Sequence, residues 1–215
     1  MELETLRDLY IDELKDLYNA EKQLTKALPK MARAASDPAL TRAFTTHLRQ
    51  TERQVKRLEQ IFRSLGVSPR GKKCIGMEGL IEEGSELIKE KPDPEVLDAG
   101  LISKAQHVEH YEIAGYGTVR TYAEVLGEDR HAQLLQETLD EEGQADKLLT
   151  QLAEGSINIE AAAGEAGAGN GRARRSSKRG ERELTRRPAS EDGRRRAGRG
   201  RATSRTRGDT LSVMD

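Results

Sequence analysis

AQHVEHYEIAGY, residues 105–116, is the stretch from which the fold can be read. Taken as helix, a face stepping by three and four runs through Ile102, Ala105, Glu109, Glu112, Tyr116, Val119, Ala123 and Leu126. Side chains at these steps point the same way. The outer members are apolar or aromatic, and the two near the middle are glutamates. A carboxylate aimed into a bundle core is costly unless it is protonated, paired or bound to a metal. The pair therefore calls for partners on other helices.

The remaining composition suits such a bundle. Charged residues make up 34% of the 215, aromatics 3%, and there is no Trp. Long helices with salt-bridged faces use residues in this way, whereas sandwiches and barrels do not. The net charge of −1 conceals a split. Residues 161–215 hold 15 Lys and Arg against 7 Asp and Glu, which leaves 21 against 30 for residues 1–160. An acidic body carries a basic arm. The opening MELETLRDLY has no apolar core of signal-peptide type, and no run is long enough to span a membrane. Cys74 is the one cysteine, so no internal disulfide forms. A soluble cytoplasmic protein with no membrane partner is expected.

Four long helices are predicted. The first covers residues 2–35, with Pro29 expected to kink it or end it early. The second covers 38–65, capped by Asp37 with Pro38 at its first position and stopped by Gly66 in a left-handed turn. The third covers 95–126, after Asp93 and Pro94, and the fourth 129–154. Between the second and third lies a crossover, 67–94, with room for a short amphipathic helix over 77–89. A connection this long lets the third helix run parallel to the second, which is the ferritin-like arrangement. The expected fold is all-α: a ferritin-like four-helix bundle over residues 1–158 and a disordered Gly/Arg/Ser-rich tail over 159–215.

Each long helix interrupts its apolar face with polar groups. Glu21 falls among Leu14, Leu17, Leu24 and Leu28. The second helix has one row with His47, Thr51 and Gln54 between Phe44 and Leu58, and a neighbouring row with Glu52 between Leu48 and Val55. The fourth has Glu142 and Asp146 between Leu139 and Leu149. Residues equally far from a hairpin turn lie side by side. Glu21 is then level with Glu52, and Glu112 with the Glu142–Asp146 turn, each about 22 Å from its turn at 1.5 Å per residue. Glu21, Glu52, Glu109, Glu112, Glu142 and Asp146 become candidate metal ligands in one central layer, with His47 and Gln54 nearby. His47 reads either as a hydrogen-bond partner of a ligand or as a core polar residue.

So many carboxylates in one dry layer repel one another, and two divalent cations would neutralise them. Oxygen-rich donors suit iron or manganese. Di-iron bundles carry Glu-x-x-His on two helices; here the third positions after Glu52 and Glu142 are Val55 and Ala145. The rival is a buried salt-bridge layer, but Arg53, Lys56, Arg120 and Lys147 have outward phases. His107 and His110 flank Glu109 on other faces and are expected at the surface. Tyr18 or Tyr116 is placed to hydrogen-bond a ligand carboxylate. Cys74, beside Lys72 and Lys73, reads either as a thiol of lowered pKa or as inert.

Four motifs, YNAEKQL (18–24), KCIGMEGLIEEG (73–84), QHVEHYEIAGYGT (106–118) and ETLDEEGQAD (137–146), resemble the YciE/YciF group of ferritin-like bacterial stress proteins, in order and over residues 1 to about 160. The resemblance implies a ferritin-like bundle, often dimeric, with a di-metal site, and it points to Glu21, Glu109, Glu112, Glu142 and Asp146. A homodimer is expected. Any chemistry would be reduction of oxygen or peroxide, or ferrous oxidation, with no organic substrate defined. The other reading is a non-catalytic helical dimer acting as a structural or interaction module. The basic tail then either holds nucleic acid or another anionic polymer by counterion release, or is a solvated extension. It lacks the aromatics that stack bases.

Overall fold

The computed structural model of the chain describes residues 3–163, in which every regular element is helical. These are α1 (Leu6–Ala34), α2 (Pro38–Leu65), α3 (Ile75–Glu90), α4 (Pro94–Val125) and α5 (Asp129–Leu152). Local chemistry sets most of the boundaries. Thr5 and Asp8 form a reciprocal capping box at the start of α1. The Asp37 carboxylate accepts from the Ala39 and Leu40 amides, at 2.7 and 2.8 Å, and Pro38 fills the first helical position of α2. Gly66 ends α2 at φ +66°, a conformation open to residues without a Cβ.

Pro29 lies inside α1, and the helix runs on past it to Ala34. The expected early end is therefore corrected. Proline removes one backbone bond close to the helix end, and Leu24, Ala27 and Leu28 hold that turn in the core.

The four long helices form a ring. α1 packs on α2 and α4, and α5 packs on α2 and α4. Short turns make α1/α2 and α4/α5 antiparallel hairpins. One apolar cluster joins Leu24 and Leu28 of α1 to Leu40 and Phe44 of α2, Leu101, Ile102 and Ala105 of α4, and Leu149 of α5. The other joins Tyr10, Leu14 and Leu17 to Leu58, Ile61 and Phe62, to Tyr116, Val119 and Ala123, and to Leu135. Residue numbers rise together along α2 and α4, so these two helices are parallel, as the long crossover requires. The crossover helix α3 packs across α1 and α4 through Met77, Leu80, Ile81 and Ile88. Buried Asp98 ties the α1–α2 turn to α4, accepting from the Ser36 amide (2.9 Å), the Ser36 hydroxyl (2.6 Å) and the Asp37 amide (2.7 Å).

The chain stays helical beyond the expected stop. A π-helical turn, Ala153–Ile157, follows α5, and helix continues over 158–163. The wider turn carries Gly155 and brings Ile157, 1% exposed, back into the first apolar cluster. The tail expected over 159–215 lies, from residue 164 onward, outside the described residues. Among the described residues, no helix is long and apolar enough to cross a membrane.

Candidate metal centre

The two apolar clusters do not meet as one continuous core. Between them lies a layer to which every long helix contributes a buried polar group: Glu21 from α1, His47, Thr51 and Gln54 from α2, Glu109 and Glu112 from α4, and Glu142 from α5. One ligand-type atom from each of His47, Glu109, Glu112 and Glu142 lies within 4.8 Å of the others. His47 Nε2 is 3.3 Å from Glu109 Oε1 and 3.6 Å from Glu142 Oε2. Glu21 borders this group, and its Oε1 accepts a hydrogen bond from the buried Tyr116 hydroxyl. The Gln54 amide donates to Glu142 and, at 3.1 Å, to Glu141.

Polar atoms are left without partners. Glu21 Oε2, Glu109 Oε2, both oxygens of Glu112, Glu142 Oε2 and both ring nitrogens of His47 are buried without a hydrogen-bond partner. Buried polar atoms are almost always satisfied, so a cluster of this size needs an explanation. No Lys or Arg among the described residues bonds to these four glutamates. The Arg57 guanidinium is turned to Glu141, at 2.7 and 3.0 Å, to Thr138 and to Glu137. The salt-bridge alternative thus lacks its cation.

Electrostatics shows what it costs to keep these carboxylates charged without a counter-ion. Burial pushes the Glu21, Glu109 and Glu112 carboxyls well above the usual range, and their mutual repulsion adds to the effect. Burial also raises Glu142, to about 7. The same burial lowers His47 to about 4, which leaves a neutral imidazole at physiological pH. Carboxylates and one neutral imidazole, all with free lone pairs, fit a hard or borderline divalent cation.

The sequence-derived ligands divide. Glu21, Glu109, Glu112 and Glu142 come together in the buried layer. Glu52 does not: it is exposed, because α2 turns its His47–Thr51–Gln54 row inward and leaves the row beside it facing outward at that level. Asp146 sits at the edge, its side chain 22% exposed, accepting from the Gln106 amide at 3.2 Å and lying 3.3 Å from His110 Nε2. From α2 it is His47 that brings a ligand-type atom to the group. Of the two tyrosines, Tyr116 donates to a carboxylate of the layer, Glu21, while Tyr18 bonds to Glu59. Arg57, which clamps Glu141 beside Gln54, escaped the sequence reading.

Cys74 resolves against a reactive thiol. It caps α3 and is fully buried; burial, and then the bond its thiol donates to Asp16 at 2.8 Å, push its pKa up. Lys72 turns to Asp12 and Lys73 to Glu78.

A pocket of about 260 Å³ opens between α2 and α5, with Ala43, Phe44, Ala145, Leu148 and Leu149 on its walls and His47 and Glu109 among its lining.

Known proteins share this architecture. Protein YciF of Escherichia coli K12 is 49% identical over 162 residues, covering 75% of this chain and 98% of that protein. The crystal structure of E. coli YciF, described as a stress protein, superposes with a TM-score of 0.70 over 72% of this chain and 98% of its own. YcfI of Rhodopseudomonas palustris, described as a structural protein, is 44% identical, with a TM-score of 0.67 over 69% of this chain and 95% of that one. A Xanthomonas campestris protein, 21% identical with a TM-score of 0.60, shares the fold. The family described as a domain of unknown function, DUF892, matches residues 5–162, and the chain is a member of that family.

Proposed function

We propose that this protein binds a transition metal in a ferritin-like bundle, with iron or manganese held as a dinuclear centre by Glu21, His47, Glu109, Glu112 and Glu142. The observation that carries the reading is the mid-bundle cluster of buried carboxylates whose lone pairs have no partner. Four carboxylates match the charge of two divalent cations. A bound pair would supply redox chemistry toward oxygen or peroxide. The protein's part is to hold the ligands: Tyr116 fixes Glu21, and Gln54, braced through Glu141 by Arg57, fixes Glu142. Elemental analysis after ferrous or manganous loading tests the proposal. Stoichiometric uptake, reduced by Glu112→Ala and by Glu142→Ala, is expected. No uptake above background by the folded parent protein would end it.

A second reading, a non-catalytic helical module, is favoured by the description of the R. palustris relative as a structural protein. In that reading the chain is a homodimer and the basic segment 161–215 holds nucleic acid or another anionic polymer. Salt-sensitive retention on DNA that vanishes on removal of 161–215 would support the arm's role, and unchanged retention would remove it.

A further inference from the structure

The pocket between α2 and α5 has an asymmetry. Its walls are apolar, and Thr46, Gln50 and Gln144 add neutral polar groups. Its charged or titratable lining is His47 and Glu109, which are 5% and 2% exposed. Both ring nitrogens of His47, and Glu109 Oε2, are without partners. The pocket thus offers unsatisfied polar atoms of the candidate metal centre together with apolar wall from Ala43, Phe44, Ala145, Leu148 and Leu149.

The space has a sequence origin. Ala145 lies three residues after Glu142, so its side chain sits next to that carboxylate on the helix face. A large side chain there would project into the pocket, and alanine leaves it open. Ala43 does the same from α2. Leu148, 43% exposed, contributes apolar surface accessible from outside.

We propose that this pocket admits a small neutral amphiphile, an apolar body of at most about nine heavy atoms with one hydroxyl-type head, to the His47–Glu109 side of the centre. The size follows from 260 Å³ at roughly 30 Å³ per water-sized group. The apolar walls select the body. The head must be polar, because it meets unsatisfied donors and acceptors. It must also be uncharged: an anion would be stripped of water beside Glu109, and no lining cation would repay that. A cation would find no net charge to attract it once four carboxylates are matched by two divalent ions. This ligand class rests on the metal reading for what its head meets, but the binding itself can be measured without metal.

Benzyl alcohol and benzoate are suitable probes, titrated into the metal-free full-length protein with the methyl signals of Leu148 and Leu149 and the ring signals of His47 followed by NMR. Benzyl alcohol should give saturable shifts at all three residues, with benzoate at least about tenfold weaker, a difference of about 1.4 kcal/mol. Ala145→Phe should weaken the alcohol by a similar factor while the far-UV circular dichroism of the bundle is kept. Ala43→Leu is the second variant should the first not fold. Absence of saturable shifts, equal binding of benzoate, or unaltered binding by a folded pocket-filled variant would overturn the proposal. So would the finding that a second copy of the chain covers the pocket, seen as a Leu148-dependent change in sedimentation without probe binding. Probe binding by a protein that takes up no metal would remove the metal reading and keep the pocket; metal uptake without probe binding would do the reverse.

Discussion

Glu112 has neither carboxylate oxygen hydrogen-bonded and no exposed surface. Such a group weakens the metal-free bundle, and in the proposed centre its two free oxygens would hold an ion. Glu112→Met should therefore raise the thermal stability of the metal-free protein, by about 1–3 kcal/mol, and lower metal affinity at least about tenfold; parallel melting curves and metal titrations measure both. Cys74 gives a second residue-scale expectation. A buried thiol of raised pKa should alkylate in the native protein far more slowly than in denaturant at pH 8, and mass spectrometry of timed iodoacetamide labelling reads the difference. Glu21, Glu109, Glu112 and Glu142 were legible as acids breaking apolar heptads. Glu52 was misplaced because α2 carries two adjacent apolar rows, and periodicity cannot say which one its neighbours cover. Cys74 was open to misreading because sequence neighbours are a poor guide to spatial ones: Lys72 turns to Asp12, and Asp16 takes its place at the thiol.

Among the elements, the helix ends were the most readable parts of the sequence. Asp37-Pro38 and Gly66 mark their boundaries through local chemistry that needs no tertiary partner, and Pro94 opens α4 although the Asp93 side chain makes no capping hydrogen bond. The tie between elements was not readable. Asp98 accepts three hydrogen bonds from the α1–α2 turn, more than sixty positions away in the chain, and Asp98→Ala should destabilise the bundle by about 2–4 kcal/mol, seen as a lower urea midpoint. Gly115 records a close approach of α4 to α1. A Cβ there would stand 2.7 Å from Leu17 Cδ2, in a core where Leu17 is 2% exposed, so an overpacking cost of about 1–3 kcal/mol is set against a helix-propensity gain of about 1 kcal/mol, and Gly115→Ala should lower the melting temperature by a net loss of up to about 2 kcal/mol. The π-helical turn at Ala153–Ile157 was hidden because a single apolar residue after a glycine leaves no period to detect.

At the scale of the whole bundle, the polar layer sets the response to pH. In the unfolded chain the layer's carboxyls ionise near the ordinary 4.5, whereas folded Glu142 keeps its proton to about 7, and Glu21, Glu109 and Glu112 are also raised. His47, lowered to about 4, acts in the opposite sense between about 4 and 6.5, but it is one group against four raised carboxyls, so the folded metal-free protein binds more protons in that interval. This stabilising contribution is complete below pH 4.5 and is lost as pH rises through about 7. Melting temperatures in the presence of a chelator should fall from pH 5 to 8. In the proposed centre divalent metal would displace the same protons and should bind more tightly along that range, and calorimetry in buffers of different ionisation enthalpy would register the release.

The layer also bears on the order of events during folding. Its members come from both hairpins, and Glu21 and Glu142 stand near opposite ends of the domain sequence. Each hairpin can form from contacts close in sequence, the kind that helical proteins make quickly. The carboxyls are confined together only when one hairpin closes on the other. Docking is then the step at which protons must be retained or repulsion accepted, so refolding of the metal-free chain should slow with rising pH while hairpin formation does not.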